Sequence, residues 1–203
     1  VRSVYDGSAV ITAVLLVMVV PPDLSPVFIA LGAFVAIFIG KEVFGGLGAN
    51  IFNPALVGRA FLSASYPVQM TTYSEPAALF TFSEGVDTAS AATPLAAARF
   101  EGVITPLRPL LLGQIGGSIG ETCALLIIIG GLILVALKIV DWRLVFTFLA
   151  TVFLLAGLFH IIDPNSYPPP LFHLLSGGLV LGAFYMASDM ATSPYTAWGN
   201  VIF

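Results

Sequence analysis

Charged side chains are scarce in this chain of 203 residues, because only 9% of them are Asp, Glu, Lys or Arg. An average soluble domain carries about 25%, so these few charges cannot form the polar shell that a water-soluble protein of this size needs. The 7 basic residues and the net charge of −4 also leave no basic surface for nucleic acid. Apolar residues make up 58% of the chain, and its mean hydropathy is +1.02. The composition therefore predicts an integral membrane protein.

Cysteine is almost absent, since Cys123 is the single one in the sequence. A disulfide framework, a zinc ribbon and a Cys-ligated iron–sulfur cluster each need several cysteines. This chain alone therefore builds none of them, and we predict no metal site. Val1 is not an initiator Met and Phe203 lies in an apolar stretch, so we expect the chain to be truncated at both ends.

Apolar runs alternate along the chain with Pro, Gly and charged residues, and several are long enough to cross a bilayer. They predict an all-α polytopic membrane protein, a bundle of roughly five or six helices. The candidate spans are residues 8–20, 24–40, 55–66, 109–137, 144–162 and 171–188. We divide the chain into a first helix group (1–66), a polar loop (67–108) and a second helix group (109–203).

The segment 45–54, GGLGANIFNP, is too rich in glycine and helix breakers for a helix that faces lipid. Irregular backbone at membrane depth is tolerated only where it is buried in protein or lines a cavity. Broken helices of this kind often mark binding sites. The sequence also contains a possible internal repeat. Ser25-Pro26 follows Gly7-Ser8 at the same interval at which Ser193-Pro194 follows Leu175-Ser176. Duplication and chance both remain open.

The positions of the basic residues predict the orientation. Short loops that contain Lys and Arg stay in the cytoplasm, which places the loop 138–143 and Lys41 inside. Alternation of the helices then places the loop 67–108 on the outer face.

The stretch 87–95, DTASAATPL, is the most informative part of that loop. One interpretation is a surface turn in which Ser90 or Thr93 caps a short helix. The other interpretation starts from the small residues beside Thr93. They leave the Thr93 hydroxyl accessible to a transferase that attaches a bulky group. Asp87 would then orient an incoming phosphate through a metal ion.

This stretch resembles the flavinylation motif Asp-x-x-Ser/Thr-Gly/Ala-Ala-Thr/Ser of the membrane subunits of the Rnf and Nqr respiratory complexes. Further blocks match that family in the same order, and together they cover residues 6–203. These blocks are GGLGANIFNPA (45–55), YPVQMT (66–71), GGSIGET (116–122), HLLSGG (173–178) and LGAF (181–184). The chain looks most like the Rnf D subunits, with the Nqr B subunits as siblings. It departs from them at Ser188-Asp189-Met190, where the family commonly has Thr-Asp-Pro.

The resemblance implies cofactors. FMN would be joined to Thr93 through a phosphoester made by a dedicated flavin transferase, and Asp87, Ser90 and Ala92 would complete the motif. Noncovalent riboflavin is a further family cofactor. Asn53 and the broken backbone around it would form a wall for it, although a packing turn is an equal alternative there.

The resemblance also implies a function: a subunit of a ferredoxin:NAD⁺ oxidoreductase complex that couples electron transfer to Na⁺ or H⁺ movement. Its partners would be the other membrane subunits of the complex and a second flavinylated subunit, in a bacterial or archaeal cytoplasmic membrane. One alternative is the B subunit of the Na⁺-translocating NADH:quinone reductase. Another is a channel or solute carrier without redox function, which would need no flavinylation motif.

Charged residues within the apolar segments are costly and suggest functional roles. Glu121 and Asp189 are candidates for an ion path, and an interfacial position is the alternative for Glu121. Arg59 needs a carboxylate or phosphate partner if it is buried, and otherwise extends towards water. Lys41 and Glu42 are expected to mark the cytoplasmic boundary.

Overall fold

The computed structural model describes residues 7–74, 90–164 and 166–203, and these residues are mostly helical. Within these ranges the strands are β1 (Tyr73–Ser74) and β2 (Ser90–Ala91), which pair antiparallel. The predicted predominance of helix is therefore confirmed for this part of the chain.

The first helix group contains α1 (Ser8–Met18), α2 (Pro26–Phe34) and α3 (Pro54–Ser65). Both α2 and α3 begin with proline, which suits a first turn because its missing N–H would have no partner there. After Phe34 the chain continues through a π turn (Val35–Ile39) and a 3₁₀ turn (Glu42–Phe44). The predicted break follows at Gly45, Gly46 and Gly48, whose φ values of 115°, 91° and 86° favour glycine.

Helices α2 and α3 approach each other closely through glycine. A Cβ atom on Gly58 would lie 2.7 Å from the carbonyl oxygen of Gly32 and 2.9 Å from Cβ of Ala36. A Cβ atom on Gly32 would likewise lie 2.5 Å from Leu62. Small residues that let helix backbones approach are typical of helix packing in membranes.

The remaining described residues form short helices and one long one. They are α4 (Pro67–Thr71), α5 (Pro94–Ala96), α6 (Leu107–Leu112), α7 (Ala124–Ala136), α8 (Trp142–Ile162), α9 (Pro170–Leu175), α10 (Leu179–Leu181) and α11 (Ala197–Ile202). Further π turns, Ala97–Glu101 and Gly182–Met186, extend α5 and α10. The described residues of the segment 67–108 therefore include short helices, and the position of this segment outside the membrane stays a prediction.

Two described stretches, Pro26–Phe44 and Trp142–Ile162, are long and apolar enough to cross a membrane. Helices α1 and α7 are apolar but shorter. The run 171–188 is not one helix, because Gly177 adopts a φ of 70° between α9 and α10. Gly113, with a φ of 84°, similarly ends α6 before α7 begins. The described residues thus hold fewer full-length spans than the apolar runs predicted.

One apolar core joins the two helix groups. Leu16, Leu62 and Leu181 are fully buried in the same cluster. Gly131 of α7 packs against the ring of Phe184, which a Cβ atom would approach to 2.3 Å. The first and second groups of the sequence are therefore packed against each other.

The two ends of α1 make different contacts. We call the corresponding ends of the molecule the Lys41 end and the Met18 end, after residues at these contacts. At the Lys41 end, the buried Lys41 ammonium donates a hydrogen bond to the Ser8 hydroxyl. At the Met18 end, Gly120 N donates to Met18 O over 2.7 Å and Ile119 N donates to Val20 O over 3.2 Å. These bonds attach the glycine-rich loop before α7 to the end of α1.

The possible internal repeat is not confirmed in the register that the sequence suggested. Ser25 is the N-cap residue of α2. Ser193 instead lies in a bend that precedes α11. The two Ser-Pro pairs thus occupy different kinds of position, and a duplication stays a prediction.

Candidate functional site

A cleft of about 200 Å³ opens between the start of α5 and two glycine-rich loops. One loop precedes α7 and belongs to the Met18 end, and the other joins α9 to α10. Helix α3 and strand β1 complete the walls. The residues that define the cleft chemically are Arg59, Tyr73, Thr93, Glu121 and the glycine pairs Gly116-Gly117 and Gly177-Gly178.

Thr93, the predicted attachment residue, lies on the wall of this cleft and caps α5. Its hydroxyl oxygen accepts a hydrogen bond from Ala96 N over 3.3 Å, and the buried Pro94 begins the helix. This confirms that Thr93 caps a short helix. The side chain is half-buried, and capping uses only a lone pair of its oxygen, so the hydroxyl proton is not needed for the cap. The structure thus combines a helix cap with a hydroxyl on a cleft wall.

The other residues of the predicted flavinylation motif are placed less completely. Ser90 lies in β2 opposite Ser74 of β1, and Ala92 is exposed. Asp87 lies outside the described residues. The same pairing sets Tyr73 opposite Ala91, which brings Tyr73 to the cleft.

An ion pair supplies the charge of the cleft. Arg59 Nη1 of α3 donates to Glu121 Oε1 of the loop before α7 over 2.9 Å. The side chains are 33% and 9% exposed, respectively. Arg59 therefore has the carboxylate partner that its position in an apolar helix requires, and Glu121 is buried within the protein.

Glycine shapes the wall opposite α5. A Cβ atom on Gly178 would lie 2.4 Å from Glu121 Oε1, so the carboxylate rests directly on the backbone of this loop. The hydroxyls of Ser118 and Ser176, beside the two glycine pairs, are buried and have no hydrogen-bond partner within the described part of the chain. Buried hydroxyls usually have partners, so these two loops carry unused hydrogen-bonding capacity.

Asn53 and Asp189, the other predicted site residues, lie away from the cleft. Asn53 Oδ1 accepts from Ala55 N and Leu56 N at the start of α3, and its Nδ2 donates to Met186 O over 3.3 Å. Asp189 Oδ2 accepts from Nδ2 of Asn50 over 3.1 Å. The two broken segments of the chain therefore meet here, and the ion-path candidates Glu121 and Asp189 belong to different sites.

Replacing Asn53 with alanine is expected to lower the free energy of unfolding by about 1–3 kcal/mol, because it removes a helix cap and the hydrogen bond from Asn53 Nδ2 to the Met186 carbonyl. Asn53→Asp keeps the capping oxygen but not the donor, so we expect an intermediate loss. Thermal unfolding in detergent, followed by circular dichroism, measures both. An alanine variant as stable as the original protein would contradict the bridging role of Asn53.

Sequence reasoning missed the meeting of Arg59 with Glu121 and the presence of Tyr73 in the site. The available signal was the pair of blocks GGSIGE and LLSGG, in which a serine adjoins two glycines. Paired glycines beside a polar residue often allow close approach of a ligand to the backbone. The sequence alone does not show that these two blocks line the same cleft, because their approach depends on how the chain folds.

Comparison with known families identifies the group to which the chain belongs. The sequence profile described as the NQR2, RnfD, RnfE family matches residues 1–203. The chain belongs to the NQR2, RnfD, RnfE family. This membership confirms the family resemblance seen in the motifs.

Individual members of the family are similar over nearly the whole chain. The D subunit of the proton-translocating ferredoxin:NAD(+) oxidoreductase complex of Clostridium ljungdahlii is 42% identical, over 99% of this chain and 62% of the relative. The D subunit of the Na(+)-translocating ferredoxin:NAD(+) oxidoreductase complex of Acetobacterium woodii is 40% identical, over 99% of this chain and 60% of the relative. The B subunit of the Na(+)-translocating NADH-quinone reductase of Ectopseudomonas mendocina is 38% identical, over 95% and 49%. The chain thus spans about half to two thirds of the length of these relatives.

Proposed function

We propose that this chain is the flavin-carrying part of a D subunit in an Rnf-type ferredoxin:NAD⁺ oxidoreductase complex, with FMN attached to Thr93. The observation that carries the proposal is the position of the Thr93 hydroxyl on the wall of a cleft that also contains a cation and two glycine pairs. Two of the family members described above are named as subunits of such complexes. The flavinylation motif and the fold thus support the same site.

The shape of the cleft suits the phosphate end of FMN. Pockets that enclose drug-sized ligands usually measure roughly 300–1,000 Å³, whereas this cleft measures about 200 Å³. This volume suits a phosphate and part of a ribityl chain, and we propose that the ring system lies towards the mouth of the cleft. The glycine pairs Gly116-Gly117 and Gly177-Gly178 line the cleft, so a polar chain of this kind can approach their backbone closely.

Thr93 takes part in one covalent step. Its hydroxyl oxygen would bond to the flavin-side phosphorus of a flavin diphosphate donor. The P–O bond between the two phosphates of that donor would break, and the departing phosphate group would take up the hydroxyl proton. A flavin transferase would supply the donor, and Asp87 would orient its phosphate through a metal ion. Once bound, the flavin supplies the electron-transfer chemistry, while the protein fixes its position and surroundings.

The partners follow from the same proposal. Ferredoxin and NAD(H) would react on other subunits, and a second flavinylated subunit would exchange electrons with Thr93-linked FMN at the outer face of a bacterial or archaeal cytoplasmic membrane. The names of the two D subunits specify a proton in one case and Na⁺ in the other. The coupled ion of this chain is therefore proposed only as H⁺ or Na⁺, with Glu121 and Asp189 as candidates for its path.

A noncovalent riboflavin is part of the proposal, but Asn53 is poorly suited to hold it. Both the amide oxygen and the amide nitrogen of Asn53 already make hydrogen bonds within the protein. This favours the packing turn over a direct ligand role.

The quinone-reductase subunit is the second candidate, and the relative from Ectopseudomonas mendocina supports it. It has the same expected cofactors and differs in its electron acceptor. Reduction by ferredoxin rather than by NADH in the assembled complex would distinguish the two. A channel or carrier without redox function has less support, because the relatives are named as oxidoreductase subunits.

Coexpression of the full-length protein with and without a flavin transferase tests the proposal. We expect a fluorescent band on a denaturing gel only with the transferase, and peptide mapping should assign the flavin to Thr93. A dark band in the presence of an active transferase would contradict the flavin-carrying function.

A further inference from the structure

Arg59 stands out because it is a cation in an otherwise apolar part of α3 and yet reaches the cleft. Arginine has five N–H donors in a planar fork, and one of them, on Nη1, bonds to Glu121. Within the described residues, Glu121 is its single ion-pair partner. The guanidinium is therefore placed at the cleft with donors to spare.

Glu121 holds Arg59 in this position. Its backbone N donates to Ser118 O over 3.0 Å, which closes the glycine-rich turn, and its carboxylate rests against Gly178. The carboxylate cannot move back from the cleft without displacing the loop between α9 and α10. An arginine with a fixed carboxylate partner is preorganised, so little rotamer entropy is lost when it binds a second anion.

The spare N–H donors of Arg59, rather than the net charge of the cleft, leave room for one further anion. Arg59 and Glu121 are the charged side chains among its described lining residues, and they cancel. Guanidinium groups bind phosphate and carboxylate oxygens with the same forked geometry, so Arg59 can bond to both at once. A phosphodiester linked to Thr93 would bring one negative charge to the same cleft.

We propose that Arg59 binds the phosphate of a flavin nucleotide at Thr93, and that Glu121 is a positioning residue that holds Arg59 in place. This inference rests on the proposed function, because it needs a flavin phosphate at Thr93. Arg59 then has two tasks. Before attachment it attracts the phosphate of the flavin donor, and after attachment it restrains the linker.

Time courses of covalent flavin incorporation into the full-length protein test this role, followed by fluorescence anisotropy of the attached flavin. Arg59→Gln is expected to load about tenfold more slowly, which corresponds to about 1.4 kcal/mol, because the phosphate of the donor loses a charge-assisted hydrogen bond. Its flavin should also have a lower anisotropy. Arg59→Lys keeps the charge without the fork, so we expect partial recovery of both quantities.

Matched variants separate charge from folding. Arg108→Gln removes a cation at an exposed position outside the cleft and should load like the original protein. Arg59→Gln leaves Glu121 unpaired, whereas the double variant Arg59→Gln with Glu121→Gln leaves no unpaired charge and should still load slowly. Glu121→Gln alone retains an oxygen that accepts from Arg59 but loses the charge that fixes the guanidinium, so we expect an anisotropy of the attached flavin between those of the original protein and Arg59→Gln.

The outcomes distinguish this inference from the proposed function. If the original protein loads flavin on Thr93 and Arg59→Gln loads equally fast with equal anisotropy, the role of Arg59 is refuted and the flavin site stands. A double variant that loads at the original rate would show that only the unpaired carboxylate had mattered, which also refutes it. If the original protein acquires no flavin, the proposed function fails and the role of Arg59 fails with it.

Discussion

Replacing Thr93 with valine is expected to abolish covalent flavin, because valine has nearly the shape of threonine but no hydroxyl oxygen to bond to phosphorus. Thr93→Ser keeps the hydroxyl and should still be loaded. Flavin fluorescence of the denatured protein, normalised to the amount of chain, measures the effect. We expect a complete loss in the valine variant and a clear signal in the serine variant.

Thr105 provides a matched control for that experiment. Like Thr93, it is a partly buried threonine that directly precedes a proline, but it does not line the cleft. Thr105→Val should therefore leave the flavin signal unchanged. Thr93→Val also removes the cap of α5, at a cost of about 0.5–2 kcal/mol, so circular dichroism should accompany the measurement. A fluorescent, folded Thr93→Val protein would contradict attachment at this residue.

Substituting Gly58 with alanine is expected to lower the stability of the protein, because α2 and α3 are in close contact at this position. The added methyl group would overlap the Gly32 carbonyl oxygen and the Ala36 side chain, at 2.7 and 2.9 Å. Neither can move without separating α2 from α3. Overpacking of this kind costs about 1–3 kcal/mol, and we expect a lower folded yield and a lower midpoint of thermal unfolding in detergent.

Gly182→Ala is the matched control for Gly58→Ala. Gly182 is also helical, but an added Cβ atom there would meet no other atom within 4 Å. Alanine is a better helix former than glycine by about 1 kcal/mol, so this variant should be as stable as the original protein or more stable. Equal stability of the Gly58 and Gly182 variants would contradict close packing of α2 on α3. Arg59 follows Gly58, so Gly58→Ala should also slow flavin loading.

The candidate spans 55–66 and 144–162 agree closely with α3 and α8, because local signals determine both helices. Asn53-Pro54 and Asp141 mark the starts of α3 and α8, and side-chain caps are present at both. The capping role of Thr93 followed from the same chemistry. These caps and helix starts depend on residues that are close together in the chain, so the sequence pattern predicts them correctly.

The site itself was predicted only in part, because it depends on distant contacts. Arg59 and Glu121 are separated by 62 positions, and no local pattern pairs them. The apolar run 171–188 suggested one helix because the left-handed backbone at Gly177 leaves no trace in hydropathy. Asn50 and Asp189, separated by 139 positions, meet only because both broken segments lie at one end of the bundle.

The π turns that extend α2 and α10 constrain the length of these segments as well as their composition. A π turn holds one more residue than an α turn, and each residue advances a helix by about 100°. The turn Val35–Ile39 precedes Lys41, and the turn Gly182–Met186 precedes Asp189. Removing one residue from either turn would rotate the residues after it by about that angle. Lys41 would then face away from Ser8, or Asp189 away from Asn50, although every interacting side chain was still present.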